Sequence, residues 1–99
     1  MNFKGKVISA EDLYKAVLKL ETVEECQAFF EDVCTISEVY AMAQRLEVAQ
    51  MLSDNKAYND ISEKTHASST TISRVSRCLN YGKGGYKVVL DRLNGDKDE

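Results

Sequence analysis

Proline is absent from the 99 residues of this chain, and glycine is scarce outside one cluster. With no proline to break a helix and helix-forming residues throughout, the pattern predicts an all-α protein. Cysteine is sparse too. Cys26, Cys34 and Cys78 are odd in number and lack C-x-x-C spacing, so a disulfide framework is not expected and reduced thiols are the default. Histidine occurs once, at His66. One histidine and three scattered cysteines do not make a zinc site, and a lone histidine without a partner argues against acid–base or nucleophilic catalysis. The reading is therefore a non-enzyme without metal or other cofactor. No apolar run is long enough to span a bilayer, and "MNFKGKVISAEDLYK" has nothing like the apolar stretch of a signal peptide. A cytoplasmic protein without membrane partners is expected.

Acidic charge predominates, with a formal net charge of -3, but it is unevenly placed. Residues 1–50 carry five Lys/Arg and nine Asp/Glu, a balance of -4, while residues 64–92 carry six basic residues and one acid, Asp91, a balance of +5. An acidic chain does not coat nucleic acid indiscriminately; a local basic face is still what phosphate contact requires.

What is present has helical punctuation. "SAED" at Ser9, "TVEE" at Thr22 and "TISE" at Thr35 each read as capping boxes, a hydroxyl facing an orphan N–H and an acid three residues on reaching back. Apolar residues follow at helical spacing: Leu13, Ala16, Val17 and Leu20; Cys26, Phe29, Phe30 and Val33; Tyr86, Val89, Leu90 and Leu93. Helices are expected at about 9–21, 23–34, 36–54, 57–65, 69–80 and 85–94. "NYGKGGY" is the loop before the last of them. Residues 1–94 form one expected domain, with 95–99, "GDKDE", as a disordered tail.

The third helix is apolar on two sides. Val39, Met42, Ala43, Leu46 and Ala49 make one stripe, and Ala41, Val48 and Leu52 make another almost opposite. Such a helix needs cover on both sides, and in a chain this short a second subunit is a natural source. The alternative is that the other helices of the same chain suffice.

The stretch "ASSTTISRVSRCL", residues 67–79, is the most informative. Six of its thirteen residues are Ser or Thr, two are Arg, and none is acidic. With "YNDISEKT" before it and "HAS" between, it has the proportions of a helix-turn-helix with its second helix in a DNA major groove. Ser68 or Ser69 is placed to cap that helix. Ile72, Val75 and Leu79 share an edge that packs inward with Ile61. Thr70, Arg74 and Arg77 fall about 140–200° away from Ile72. Hydroxyls and backbone N–H groups at a helix start can bind phosphate oxygens or base edges, and arginine can grip guanine or pair with phosphate. Lys83 and Lys87 would extend the phosphate footprint. Short helix pairs joined by tight turns also occur in proteins that never meet DNA, and Arg77 has Asp91 or Glu63 as alternative partners.

These segments carry a resemblance. "EECQAFFEDVCTISE", "AQRLEVAQML", "ASSTTISRVSRCLNYG" and "YKVVLDRL" resemble the tryptophan repressor superfamily, most closely its YerC/YecD-type branch. The resemblance implies a six-helix fold, an intertwined homodimer and binding to double-stranded DNA. The tryptophan repressor is itself a standard helix-turn-helix example, so the docking geometry comes from the family and not from this chain. By that analogy Thr70, Thr71, Ser73 and Arg74 face the groove, and Tyr58 and Asn59 lie near the phosphates; Ser69 at the helix start and Arg77 on the outward face complete the expected DNA-binding set. Arg45 and Arg74 match the arginines that sandwich the indole in the repressor, and with Cys78 they mark a candidate effector pocket. Two departures speak against tryptophan. Val75 stands where the family has a glycine, and Cys78 where it has a serine near the ligand's amino group. A branched side chain should crowd a planar ring, and a lost polar partner costs affinity. The expected function is thus a sequence-specific transcriptional regulator not responsive to tryptophan, with an unidentified small effector or none. The alternative class is a homodimeric protein-interaction module whose DNA binding is weakened or lost.

Overall fold

The computed structural model describes residues 2–3 and 6–97. Its helices are α1 (Ala10–Val17), α2 (Val23–Val33), α3 (Ile36–Ser53), α4 (Tyr58–Thr65), α5 (Ser69–Tyr81) and α6 (Gly85–Lys97), preceded by a two-residue antiparallel pairing of β1 (Asn2–Phe3) with β2 (Lys6–Val7). The protein is all-α but for that pairing. The chain divides into two compact units at Val39/Tyr40, within α3.

In the first unit, the helix starts follow the sequence unevenly. Thr35 makes the full reciprocal box: its N–H donates to Glu38 Oε1 at 2.8 Å, and the Glu38 N–H donates to Thr35 Oγ1 at 3.1 Å. The Thr35 N–H, and after it the Thr35 hydroxyl, favour the charged form of the Glu38 carboxyl and hold it below its ordinary value. Thr22 Oγ1 accepts from the Glu25 N–H, but Glu25 reaches the N–H of Glu21 and not that of Thr22. Ser9 does not close a box: its side chain makes no cap bond, and the Asp12 N–H goes to the Ser9 carbonyl at 3.3 Å. The first helix is also shorter than its pattern suggests. After Val17 the Lys19 and Leu20 N–H groups reach back three residues to Ala16 and Val17, tightening the chain into a turn.

No described side chain of this unit is buried. Phe29 and Phe30 meet edge to face, with ring centroids 5.5 Å apart. Leu13, Tyr14, Val17, Leu18 and Phe30 line an open apolar hollow of about 460 Å³.

The second unit holds the core: Val48, Ala49 and Met51 of α3, Ile61 of α4, Ala67 of the following turn, Ile72 and Val75 of α5, and Leu90 of α6, with Leu52, Leu79 and Tyr86 packed against it. On α3 the stripe through Val48 and Leu52 is therefore covered, together with Ala49. Met42, Ala43 and Leu46 of the other stripe stay exposed. The helix ends in a Schellman motif. Asn55, in the left-handed region at φ 61°, donates to the Leu52 carbonyl, and the Lys56 N–H donates to Met51. Between α5 and α6, Gly82 is required because a Cβ there would collide with the Cys78 carbonyl oxygen, and Gly84 takes φ 83°. The last helix runs to Lys97, three residues past the expected end, so Gly95, Asp96 and Lys97 are helical and not tail. Residues 98–99 of the expected tail lie outside the described residues.

Candidate nucleic-acid interface

The pair α4–α5 is a helix-turn-helix with His66, Ala67 and Ser68 as its turn. Each turn residue has a distinct task. His66 ends α4 in the left-handed region at φ 61°, its N–H donating to the Ser62 carbonyl. Ala67 is 3% exposed and pins the turn to the core. Ser68 caps α5: its Oγ accepts from the Thr71 N–H at 3.1 Å and bonds the Thr71 hydroxyl at 3.1 Å. Thr65 ties the same turn from the other side. Its hydroxyl donates to the Ile61 carbonyl at 2.7 Å and accepts from the Ala67 N–H at 3.2 Å.

Three consecutive β-branched residues, Thr70, Thr71 and Ile72, are not good helix formers. What holds α5 is burial. Ile72 and Val75 are each 1% exposed, contributing about 1.5–3 kcal/mol apiece relative to exposure. With that edge seated, the opposite edge faces solvent. Ser69, Thr70, Ser73, Arg74 and Arg77 are all exposed and together line one shallow depression of about 430 Å³. No acidic residue lines it, and neither arginine forms an ion pair among the described residues; Arg77 has taken neither Asp91 nor Glu63. The N–H groups of Ser69 and Thr70, in the first turn, have no intrahelical acceptor. Cation, hydroxyl and amide donors thus converge on one open face with the chemistry that binds phosphate oxygens and base edges.

The remaining expected site residues divide. Tyr58 and Asn59 open α4 and are exposed, beside a helix start that no side chain caps. Thr71 is half-buried and its hydroxyl belongs to the Ser68 cap, so it supports the face without standing on it. Of the three candidate effector residues, Arg74 lines the α5 depression, while Arg45 is half-buried on α3 and Cys78 is exposed on α5 outside that depression. Val75 points into the core. The residue that sequence reading missed is Gln44, whose Nε2 donates to the Thr65 carbonyl at 3.0 Å. Its only signal was a polar residue interrupting the apolar stripes of α3. Among the described residues no cluster of His, Cys, Asp or Glu could hold a metal ion, and no helix is long and apolar enough to cross a membrane.

Residues 9–94 match the family model described as Trp repressor protein. The chain is 48% identical over 96 residues to the uncharacterized protein YerC of Bacillus subtilis (strain 168), covering 97% of this chain and 90% of that protein. A crystal structure of a TrpR-like protein from Eubacterium eligens ATCC 27750 superposes with a TM-score of 0.82 at 54% identity, over 85% of this chain and 87% of that one. A candidate Trp repressor from Staphylococcus aureus gives a TM-score of 0.83 at 44% identity, over 86% and 85% of the two chains.

Proposed function

Because this chain belongs to the Trp repressor protein family, we propose that it is a homodimeric transcriptional regulator that reads double-stranded DNA with α5. The observation that carries the reading is the two-sidedness of α5. Its apolar edge is locked into the core, and its hydroxyl and arginine edge stands open with no acid beside it. The outward edge supplies base contacts from Thr70 and Ser73, and phosphate contacts come from Arg74, Arg77, the α5 N-terminal amides, Tyr58 and Asn59. Acidic net charge keeps non-specific affinity low and leaves binding to this face.

The dimer rests on apolar surface left uncovered in the single chain. In the first unit Leu13, Leu18, Val33 and Ile36 are exposed; in the second Met42, Leu46, Val88, Val89 and Leu93 are exposed. A chain of this size buries too little to leave so many large side chains wet without cost. A second copy covers them, and two-fold symmetry then presents two α5 helices to half-sites about one helical turn of DNA apart. L-tryptophan is not the effector in this reading, since Val75 and Cys78 replace the residues that make room and polar contact for it. The cytoplasm is the compartment where such a regulator works.

Selection of bound fragments from a pool of random-sequence duplexes tests the proposal. Enrichment of a two-fold symmetric sequence is expected. A pool that emerges no different from its input, at low salt and micromolar protein, overturns it and favours a protein-interaction role for the same dimer.

A further inference from the structure

The first helix of the motif is weakly held. α4 is eight residues long, has one buried side chain, Ile61, and no side-chain cap at its start. So short a helix is marginal by itself, and one apolar anchor does not by itself set its orientation. Two contacts from α3 meet its far end. Lys64 Nζ lies 3.4 Å from Glu47 Oε1, but both side chains are largely exposed, at 66% and 47%, and such pairs contribute little. The Gln44 bond differs. It is half-buried and spans 21 residues, and its acceptor, the Thr65 carbonyl, belongs to the last turn of α4, whose carbonyls lack helical partners. Thr65 also holds the Ile61 carbonyl and the Ala67 N–H, and three residues beyond it stands the Ser68 cap of α5.

We propose that Gln44 is a positioning residue for the recognition helix: its hydrogen bond to the Thr65 carbonyl fixes the pivot between α4 and α5, and so the pose in which Thr70, Arg74 and Arg77 meet DNA. The inference rests on the DNA-reading role of α5. Gln44 itself need touch no DNA. It acts by satisfying a carbonyl where the chain reverses, and a shift there passes through the short turn to the start of α5.

Gln44→Met tests this, since methionine keeps the length and helix preference while removing the amide, and with it the Nε2 donor. Bound-fragment retention is expected to weaken on the order of fivefold per motif, while the dependence of log affinity on log salt keeps its slope because no phosphate contact is lost. Amide hydrogen exchange should accelerate at His66–Thr71 and stay unchanged in α6. Glu47→Gln, which breaks the exposed pair, should change affinity by less than about twofold. Wild-type affinity in Gln44→Met overturns the proposal, and so does a reduced salt slope, which would make Gln44 a phosphate contact. If the wild-type protein retains no DNA, the regulator reading fails separately. Exchange at His66–Thr71 then decides alone: acceleration in Gln44→Met supports the pivot, and unchanged rates overturn it.

Discussion

Replacing Arg74 and Arg77 together by alanine removes the two arginines of the α5 face while leaving its anchored edge intact. Both side chains are exposed and form no ion pair among the described residues, so nothing in the fold depends on them. Surface substitutions of this kind change stability by less than about 0.5 kcal/mol. Their effect on DNA should be large. Each neutralised phosphate contributes about 0.9 to the slope of log affinity against log salt. Two arginines on each of two helices therefore account for about 3.6 of that slope. Between 50 and 200 mM salt the wild-type protein should lose about 150-fold more affinity than the double variant. Fluorescence anisotropy on a labelled duplex, titrated across that range, measures the difference. Parallel slopes for the two proteins would refute the reasoning, because the arginines would then face no phosphate, wherever else the protein holds its DNA.

Other consequences follow from the same geometry. Ile72→Ala should lower unfolding stability by about 2–5 kcal/mol because the side chain is fully enclosed, whereas Thr70→Ala should cost less than about 0.5 kcal/mol; equal losses in denaturant titration would contradict the assigned orientation. His66→Gly should be neutral or stabilising by up to about 1 kcal/mol, and His66→Val destabilising by about 1–2 kcal/mol, since the position has φ 61°; thermal melts decide, and a stable valine variant would speak against the left-handed turn. Glu38 should titrate below a glutamate in a free peptide, because the Thr35 N–H and hydroxyl-side bonds favour its charged form. Its box then stabilises the start of α3 above the unfolded glutamate range and fades as pH falls through the lowered value; a carboxyl midpoint at or above the peptide's, by NMR, would show the box open in solution. L-tryptophan should give no calorimetric binding at low micromolar concentration, and a measurable heat of binding would show that Val75 and Cys78 leave the indole room.

Much of this was legible in residue order, for local reasons. The caps at Thr22, Thr35 and Ser68 and the glycines after Tyr81 act within four residues of themselves, so spacing alone located α2, α3, α5 and the final loop. The seat of α5 was legible because Ile72, Val75 and Leu79 share one edge by helical period. Failures came where neighbours override a local signal. Ser9 has the residue type and dihedral angles of a cap without the bond. Gly95, a poor helix former, is carried inside α6. Thr71, set on the DNA face by the family resemblance alone, is half-buried with its hydroxyl bonded to Ser68. Gln44 showed only as a polar interruption of the α3 stripes, and its partner was not legible, since the acceptor lies 21 residues away and only packing brings the two together. The exposed half of α3 was anticipated as a stripe in need of cover, though a stripe does not say what covers it.

The account stands on α5 reading DNA with its outward face, and footprinting of the purified protein on genomic DNA tests that most directly. Protected sites should share a two-fold symmetric sequence with half-sites about 10 base pairs apart, and Arg74→Ala with Arg77→Ala should erase them under the same salt. Protection that persists unchanged in the double variant, or no protected sites for the wild-type protein, would contradict it.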